Sequence, residues 1–218
     1  MFTLAEENYL KAIYHLEFKN QGAVSTNAIA EKLEAKASSV TDMVQKLAEK
    51  GVVSYTKYKG THLTPEGRKT AAKVVRKHRL WEVFLVDKLD FQWDEVHEIA
   101  EQLEHIKSDE LIVRLDKFLG SPEFDPHGDP IPDKNGNVKS TKKKLLAEIG
   151  KNQRGICVGV KESNAEFLRY LDKKNISIGS KITVVGKEFF DGSMIIEVGP
   201  DQFYISKKIA ENLYLQAN

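Results

Sequence analysis

The chain has 218 residues, 41% hydrophobic and 30% charged, a mix that supports packed cores and holds no run near the roughly 20 apolar residues a membrane-spanning helix needs. Its one cysteine, Cys157, excludes an intrachain disulfide framework and fits a reducing, cytoplasmic setting. The net charge of +1 is unevenly spread: residues 1–80 hold 14 Lys/Arg against 8 Asp/Glu, residues 81–133 hold 4 against 15, and residues 134–218 hold 15 against 9. A basic head and an acidic middle suggest an anionic partner for the first and a cation for the second.

In chain order, Thr3-Leu-Ala-Glu6 is a capping box. It opens a helix with Leu10, Ile13, Tyr14 and Glu17 at three- and four-residue steps. The acidic residues of this segment argue against a signal peptide. After a break at Asn20-Gln21-Gly22, Ser25 or Thr26 can cap a short helix, and Ser38 a third, SSVTDMVQKLAEK, with Gly51 placed for a left-handed end. VVSYTKYKGTHLT reads as a hairpin, and Thr64-Pro65-Glu66 starts a long helix through HRLWEVFLVDKL. Two helices follow, near WDEVHEIAEQLEHI and SDELIVRLDKFLG. Four of the six prolines fall in 122–132 and break the helical run. From about 154, RGICVGV, KITVVGKEF, SMIIEVGP and QFYISK are β-patterned and predict a small barrel, while SKKIAENLYL near the end reads as helical.

Three helices with a tight middle turn and then a hairpin describe a winged helix-turn-helix. Ser38, Ser39 and Thr41 are short hydroxyl residues that let the positive N-terminal end of the third helix approach phosphates and base edges. Lys36, Lys46, Lys57 and Lys59 would contact the DNA backbone, and Thr26 and Asn27 at the start of the second helix complete the candidate set. The bland alternative is a capping serine among solubilising lysines.

His97, Glu101, Glu104 and His105 sit at i, i+4, i+7 and i+8, on one helical face, and His78 and Glu82 lie one turn apart on the preceding helix. Two imidazoles and two carboxylates are costly to bury together unless they hold a divalent cation. Carboxylate and imidazole donors suit Mn²⁺ or Fe²⁺. Cys157 is distant in sequence and reads as a core residue.

RKHRLWEVFLVDKL, VHEIAEQLEHIKSDELIVRLDKFLG and DPHGDPIP closely resemble the metal-dependent repressors of the diphtheria toxin repressor family, over nearly the whole chain. The resemblance implies a mainly α protein with a small β domain. Its parts would be an N-terminal winged helix-turn-helix (1–72), a helical metal-binding and dimerisation domain with a Pro-rich linker (73–140), and a C-terminal SH3-like barrel (150–218). It also implies a homodimer that binds a double-stranded, palindromic operator when loaded with metal and represses metal-uptake genes, without enzymatic activity. One implied metal site comprises Asn8, Glu101, Glu104 and His105. A second comprises His78, Glu82 and His97, with Asp125, His127, Glu162 or Glu166 available to complete it.

Glu101 stands where iron-responsive members tend to have Cys, which places the chain nearer the manganese-responsive branch. Asn8 stands where members often have Asp or Met. Members with a closely spaced metal pair carry a carboxylate at the position of Lys11; a lysine beside a cation is unfavourable, so two separated sites are expected. Two rivals from other classes are a constitutive DNA-binding regulator with a structural metal, and a metallohydrolase using the same His and Glu residues.

Overall fold

The structure is a computed structural model that describes residues 2–20, 22–56, 59–139 and 141–217. It divides into two compact units, one of Met1–Trp81, Ala100–Arg114 and Ile131–Val138, the other of Glu82–Ile99, Leu115–Pro130 and Lys139–Asn218. Helices α4 (Pro65–Leu89), α5 (Val96–Leu103) and α6 (Asp109–Phe118) each contribute residues to both.

The first unit opens with α1 (Leu4–Asn20). The expected capping box is formed: Glu6 N–H donates to Thr3 Oγ1 at 3.3 Å and Thr3 N–H to Glu6 Oε2 at 3.0 Å. Ser25 caps α2 (Thr26–Lys32) by accepting from Ala28 N–H. The third helix, α3 (Ala37–Glu49), starts two residues earlier than it would if Ser38 were its cap. Lys36 holds the cap position without a side-chain hydrogen bond, so Ser38 lies in the first turn and its hydroxyl does not terminate the helix. Gly51, at φ +72°, ends α3 with paired bonds from Gly51 N–H to Ala48 O and from Val52 N–H to Leu47 O, a Schellman closure. Strands β1 (Val53–Thr56) and β2 (Gly60–Leu63) pair antiparallel as the expected hairpin. Lys57, at its tip, lies outside the described residues.

Leu10, Ile13 and Tyr14 of α1 pack with Ile29, Val40, Val44, Leu47, Val53, Leu63 and Val75 in one apolar core. Buried Glu17 ties this core to the hairpin. Its carboxylate accepts from Leu63 N–H at 2.9 Å and pairs with His62 Nδ1 on β2 and with Arg68 on α4. Burial, then the positive charges of Arg79, Lys11 and Lys32, lowers the His15 pKa from 6.5 to about 3.

The second unit is built on a six-stranded antiparallel sheet in the order β3 (Lys144–Leu145), β8 (Leu213–Ala217), β4 (Arg154–Val160), β5 (Lys181–Lys187), β6 (Met194–Val198), β7 (Asp201–Ile205). Alternate residues of these strands, among them Cys157, Ile182, Val184, Met194, Ile196 and Leu215, fill its core. Cys157 is a buried packing residue, and burial pushes its thiol up to about 11.

Two elements differ from expectation. The closing segment is helical only over α8 (Lys207–Ala210), after which Leu213 and Leu215 alternate into the core as β8 pairs with β4. Pairing across the sheet outweighs the local helical pattern. Helix α7 (Ala165–Asp172), capped by Asn164 and burying Leu168 and Leu171, interrupts what reads as an all-β region.

The Pro-rich segment folds into a tight turn. Asp125 Oδ1 accepts from the N–H groups of His127 and Asp129, both at 2.9 Å. Gly128 has φ +82°, and a Cβ there would overlap the backbone carbonyl of Val158 on β4. Val160 N–H donates to His127 O at 3.0 Å, which anchors the turn to the end of β4.

Gly128→Ala meets both the left-handed backbone and the β4 carbonyl, and is expected to cost more than about 2 kcal/mol in chemical denaturation. His15 supplies a pH test. Its folded pKa of about 3 lies below the unfolded value of 6.5, so only the unfolded chain takes up this proton in that window and stability falls with pH across it. His15→Gln removes that component. Its urea midpoint is expected to fall less than the wild type's between about pH 7 and about pH 5.

Candidate functional site

In the first unit the candidate ligands come from α1, α4 and the end of α5. The helical hydrogen bonding of α5 continues one residue past Leu103, with Glu104 N–H donating to Ala100 O at 2.9 Å. Glu104 and His105 therefore occupy the turn that ends the helix and not its body. Glu104 is fully buried. Its Oε2 accepts from His78 Nδ1 at 2.6 Å, and Lys11 Nζ lies 2.9 Å from Oε1 and 2.8 Å from Oε2. The same ammonium is 2.7 Å from Glu101 Oε1. His78, read from the sequence as a ligand of the second site, thus also reaches the first. His78, Glu101 and Glu104 can place one ligand atom each within 4.8 Å of one another.

His105 is oriented from α1. Its Nδ1 donates to Glu7 Oε2 at 2.6 Å, which leaves Nε2, 3.6 Å from Glu104 Oε1, as the nitrogen available to a ligand. A carboxylate that orients an imidazole in this way raises its basicity and fixes its direction. Asn8, the neighbour of Glu7, has a buried Oδ1 with no hydrogen-bond partner. A buried amide oxygen without a donor is costly, and a cation would satisfy it. The donor set of imidazole, carboxylates and amide oxygen therefore fits a hard or borderline divalent ion such as Mn²⁺ or Fe²⁺.

Nothing in the sequence pattern singles out Glu7. Its only local signal is its place beside Asn8, since the partner that gives it a role is 98 positions away. The sequence pattern marks Glu6 only as a capping residue. Buried in α1, it also pairs with Lys50, the residue at the C-cap of α3, at 2.7 Å and with Lys46 of α3 at 3.0 Å. These partners bring its pKa down to about 2 against the opposing effect of burial, which raises it.

A second cluster lies wholly within the second unit. Glu82, Asp125 and His127, all buried, can bring one ligand atom each within 4.8 Å. His97 Nδ1 is 3.5 Å from Glu82 Oε1, and His127 Nδ1 is 3.7 Å from Glu82 Oε2. Burial lowers the His127 pKa, but hydrogen bonding and charge from Glu82, the charge of Asp125 and the Trp93 carbonyl outweigh it, and the pKa rises to about 9. Its Nε2 donates to Trp93 O at 2.8 Å, and its ring stacks on the indole of Trp93. Asp172 of α7 accepts from Trp93 Nε1 and so braces this wall. Glu162 and Glu166 are exposed and are absent from the ligand groupings found among the described residues. Glu162 stands two positions beyond Val160, whose N–H holds the His127 carbonyl.

Of the candidate DNA-binding residues, Asn27, Lys36, Ser38, Ser39 and Lys59 are exposed, and Thr26 is half-buried. Thr41 Oγ1 donates to Ala37 O at 3.0 Å within α3. Lys46 is exposed but paired with Glu6.

A helix-turn-helix with a wing, joined to buried clusters of histidine and carboxylate, is the architecture of a metal-dependent DNA-binding regulator. Three sequence families match in chain order: the iron dependent repressor N-terminal DNA binding domain over residues 1–61, the iron dependent repressor metal binding and dimerisation domain over 64–133, and the FeoA domain over 144–217. The diphtheria toxin repressor of Corynebacterium glutamicum is 31% identical over 193 residues, 84% of each chain. The iron-dependent repressor IdeR of Mycobacterium leprae is 39% identical over 127 residues, 58% of this chain; the match spans only 54% of that relative's length. A solved manganese-dependent transcriptional repressor in complex with manganese superposes with a TM-score of 0.89 at 34% identity, covering 98% of this chain and all of that one. The chain belongs to the diphtheria toxin repressor family of metal-dependent transcriptional repressors.

The Glu7–His105 contact leads to a direct test. Glu7→Ala leaves the imidazole unoriented and is expected to weaken Mn²⁺ binding by about 10- to 100-fold, measured by calorimetry on the metal-stripped chain.

Proposed function

We propose that this chain is a metal-activated repressor that senses Mn²⁺ or Fe²⁺, binds a palindromic operator as a homodimer in the cytoplasm, and controls metal-uptake genes without enzymatic activity. The observation that carries the reading is the buried, unpartnered Asn8 Oδ1 on the first helix of the DNA-binding head. It sits one residue from Glu7, which holds His105. A divalent ion there would supply the positive charge that draws Asn8, the carboxylates and His105 together.

The remaining steps belong to the chain's own residues. Asn8 and Glu7 lie in the first turns of α1, and Glu6 in the same stretch grips Lys46 of α3 and Lys50 at its C-cap. Fixing α1 therefore fixes the helix whose N-terminal end carries Ser38 and Ser39. In a dimer, the spacing of the two such helices must match half-sites along the duplex. Metal then favours the DNA-competent arrangement, and by reciprocity DNA tightens metal binding.

Two sites per subunit are proposed. The first comprises Asn8, Glu101, Glu104 and His105, with His78 at its edge. The second centres on Glu82, with His97, Asp125 and His127, and with Glu162 next in line as a completing ligand. Glu101 in place of a thiolate supports manganese over softer-ligand metals. The proposed domain boundaries are 1–72, 73–140 and 150–218.

The test is a gel shift of metal-stripped protein on fragments of its own genome at roughly 150 mM salt, where non-specific phosphate binding is suppressed. Selective retention of a few fragments is expected only with added Mn²⁺ or Fe²⁺. Glu104→Ala and His105→Ala are expected to abolish that stimulation while the head remains folded by circular dichroism. Metal-independent retention by the wild type, or normal stimulation in both variants, would refute the reading.

A further inference from the structure

Lys11 is the residue of the first cluster that a metal site would not be expected to contain. It follows Asn8 by three positions, so the two share a face of α1. Its ammonium lies within 2.9 Å of three carboxylate oxygens, one from Glu101 and both from Glu104. The Oε2 atom of Glu104 is shared with His78. Both oxygens of the buried carboxylate are therefore already engaged by a cation.

A divalent ion coordinated by Glu104 needs a lone pair on one of those oxygens. An ammonium and a divalent cation held by the same carboxylate at contact distance repel strongly where water is scarce. The Lys11 side chain is only 13% exposed, but its head is carried on a flexible four-carbon stem that can stay packed while the charge swings out. Without a counter-charge, a buried Glu104 carboxylate would be costly to the fold. Lys11 supplies that charge in the metal-free protein.

Resting on the metal-site reading above, we propose that Lys11 is a tethered competitor cation. It occupies the Glu101–Glu104 carboxylate pair until a divalent ion expels it, and so raises the metal concentration at which this site fills. The same residue has two opposed effects: it stabilises the metal-free fold and weakens metal binding. A purely structural lysine would not weaken metal binding. Its removal would leave metal affinity unchanged or reduced.

Two measurements on the full-length, metal-stripped chain test this. Calorimetric titration with Mn²⁺ compares the wild type with Lys11→Met. Acetylation of lysines by acetic anhydride, read by mass spectrometry, follows Lys11 in the wild type with and without Mn²⁺. The expected results are binding at one site tightened about tenfold or more in Lys11→Met at unchanged stoichiometry, and Lys11 acetylation that rises when Mn²⁺ is added. Unchanged or weaker Mn²⁺ binding by a folded Lys11→Met overturns the proposal. If that variant does not fold, Lys11 acetylation indifferent to Mn²⁺ overturns it instead. Glu104→Gln separates the two layers. Full Mn²⁺ stoichiometry in Glu104→Gln defeats the site assignment and this inference together. Loss of one Mn²⁺ in that variant, with no effect of Lys11→Met and no change in acetylation, removes the tethered cation alone.

Discussion

Glu104 is a carboxylate with no exposed surface, and a buried charge survives only where opposite charge and hydrogen bonds surround it. Three separate elements meet that demand. Lys11 comes from α1 and His78 from α4, while the turn ending α5 carries Glu104 itself and brings His105 alongside. Because one carboxylate needs all of them, the helix that begins the DNA-binding head is bound to the end of α5 by polar contacts as well as by packing. The contact between Glu7 and His105 adds a second tie between the same two segments. Whatever changes the charge at Glu104 therefore acts first on α1.

That helix is in turn joined to α3. Glu6 is buried and holds Lys46 and Lys50, so two of the basic residues that give the head its positive charge are engaged within the protein. The exposed polar residues left at the N-terminal end of α3 are Lys36, Ser38 and Ser39. This end combines the partial positive charge of a helix terminus with short side chains, and it suits close approach to a phosphate backbone. The lysine count of the head thus overstates what it offers to DNA. The geometry of α3, held by Glu6, matters more than its net charge.

The second unit solves a different problem, the placing of polar side chains that lie on a loop. Asp125 closes the turn on itself through two backbone N–H groups, Gly128 passes against the β4 carbonyl where no side chain fits, and Val160 fixes the His127 carbonyl. Trp93, braced by Asp172, accepts from the other side of the imidazole. His127 is thereby held by a rigid frame although it sits in an irregular segment. Its orientation toward Glu82 depends on the β sheet and α7.

Much of this was legible in the sequence because it is local. The Thr3–Glu6 capping box, Gly51 at the end of α3, Pro65 at the start of α4 and strands β4 to β7 follow from spacings of a few residues, and the structure forms each of them. The one-face spacing of His97, Glu101, Glu104 and His105 marks them as candidate ligands; the structure brings Glu101, Glu104 and His105 together and sets His97 beside Glu82 in the other cluster. What the sequence could not show depends on partners far along the chain. Lys11 meets Glu104 across 93 positions and Glu7 meets His105 across 98, and no periodicity in either segment encodes those pairings. The closing strand departs from its local pattern for the same reason. Leu213 to Ala217 has a locally helical neighbourhood, but the unpaired edge of β4 offers backbone hydrogen bonds and a core for Leu213 and Leu215. Local side-chain spacing determined which helices form and which residues could be ligands. The tertiary structure alone decided which of those charges are buried together, because the cost of burying a charge is settled by what surrounds it in space and not by what precedes it in the chain.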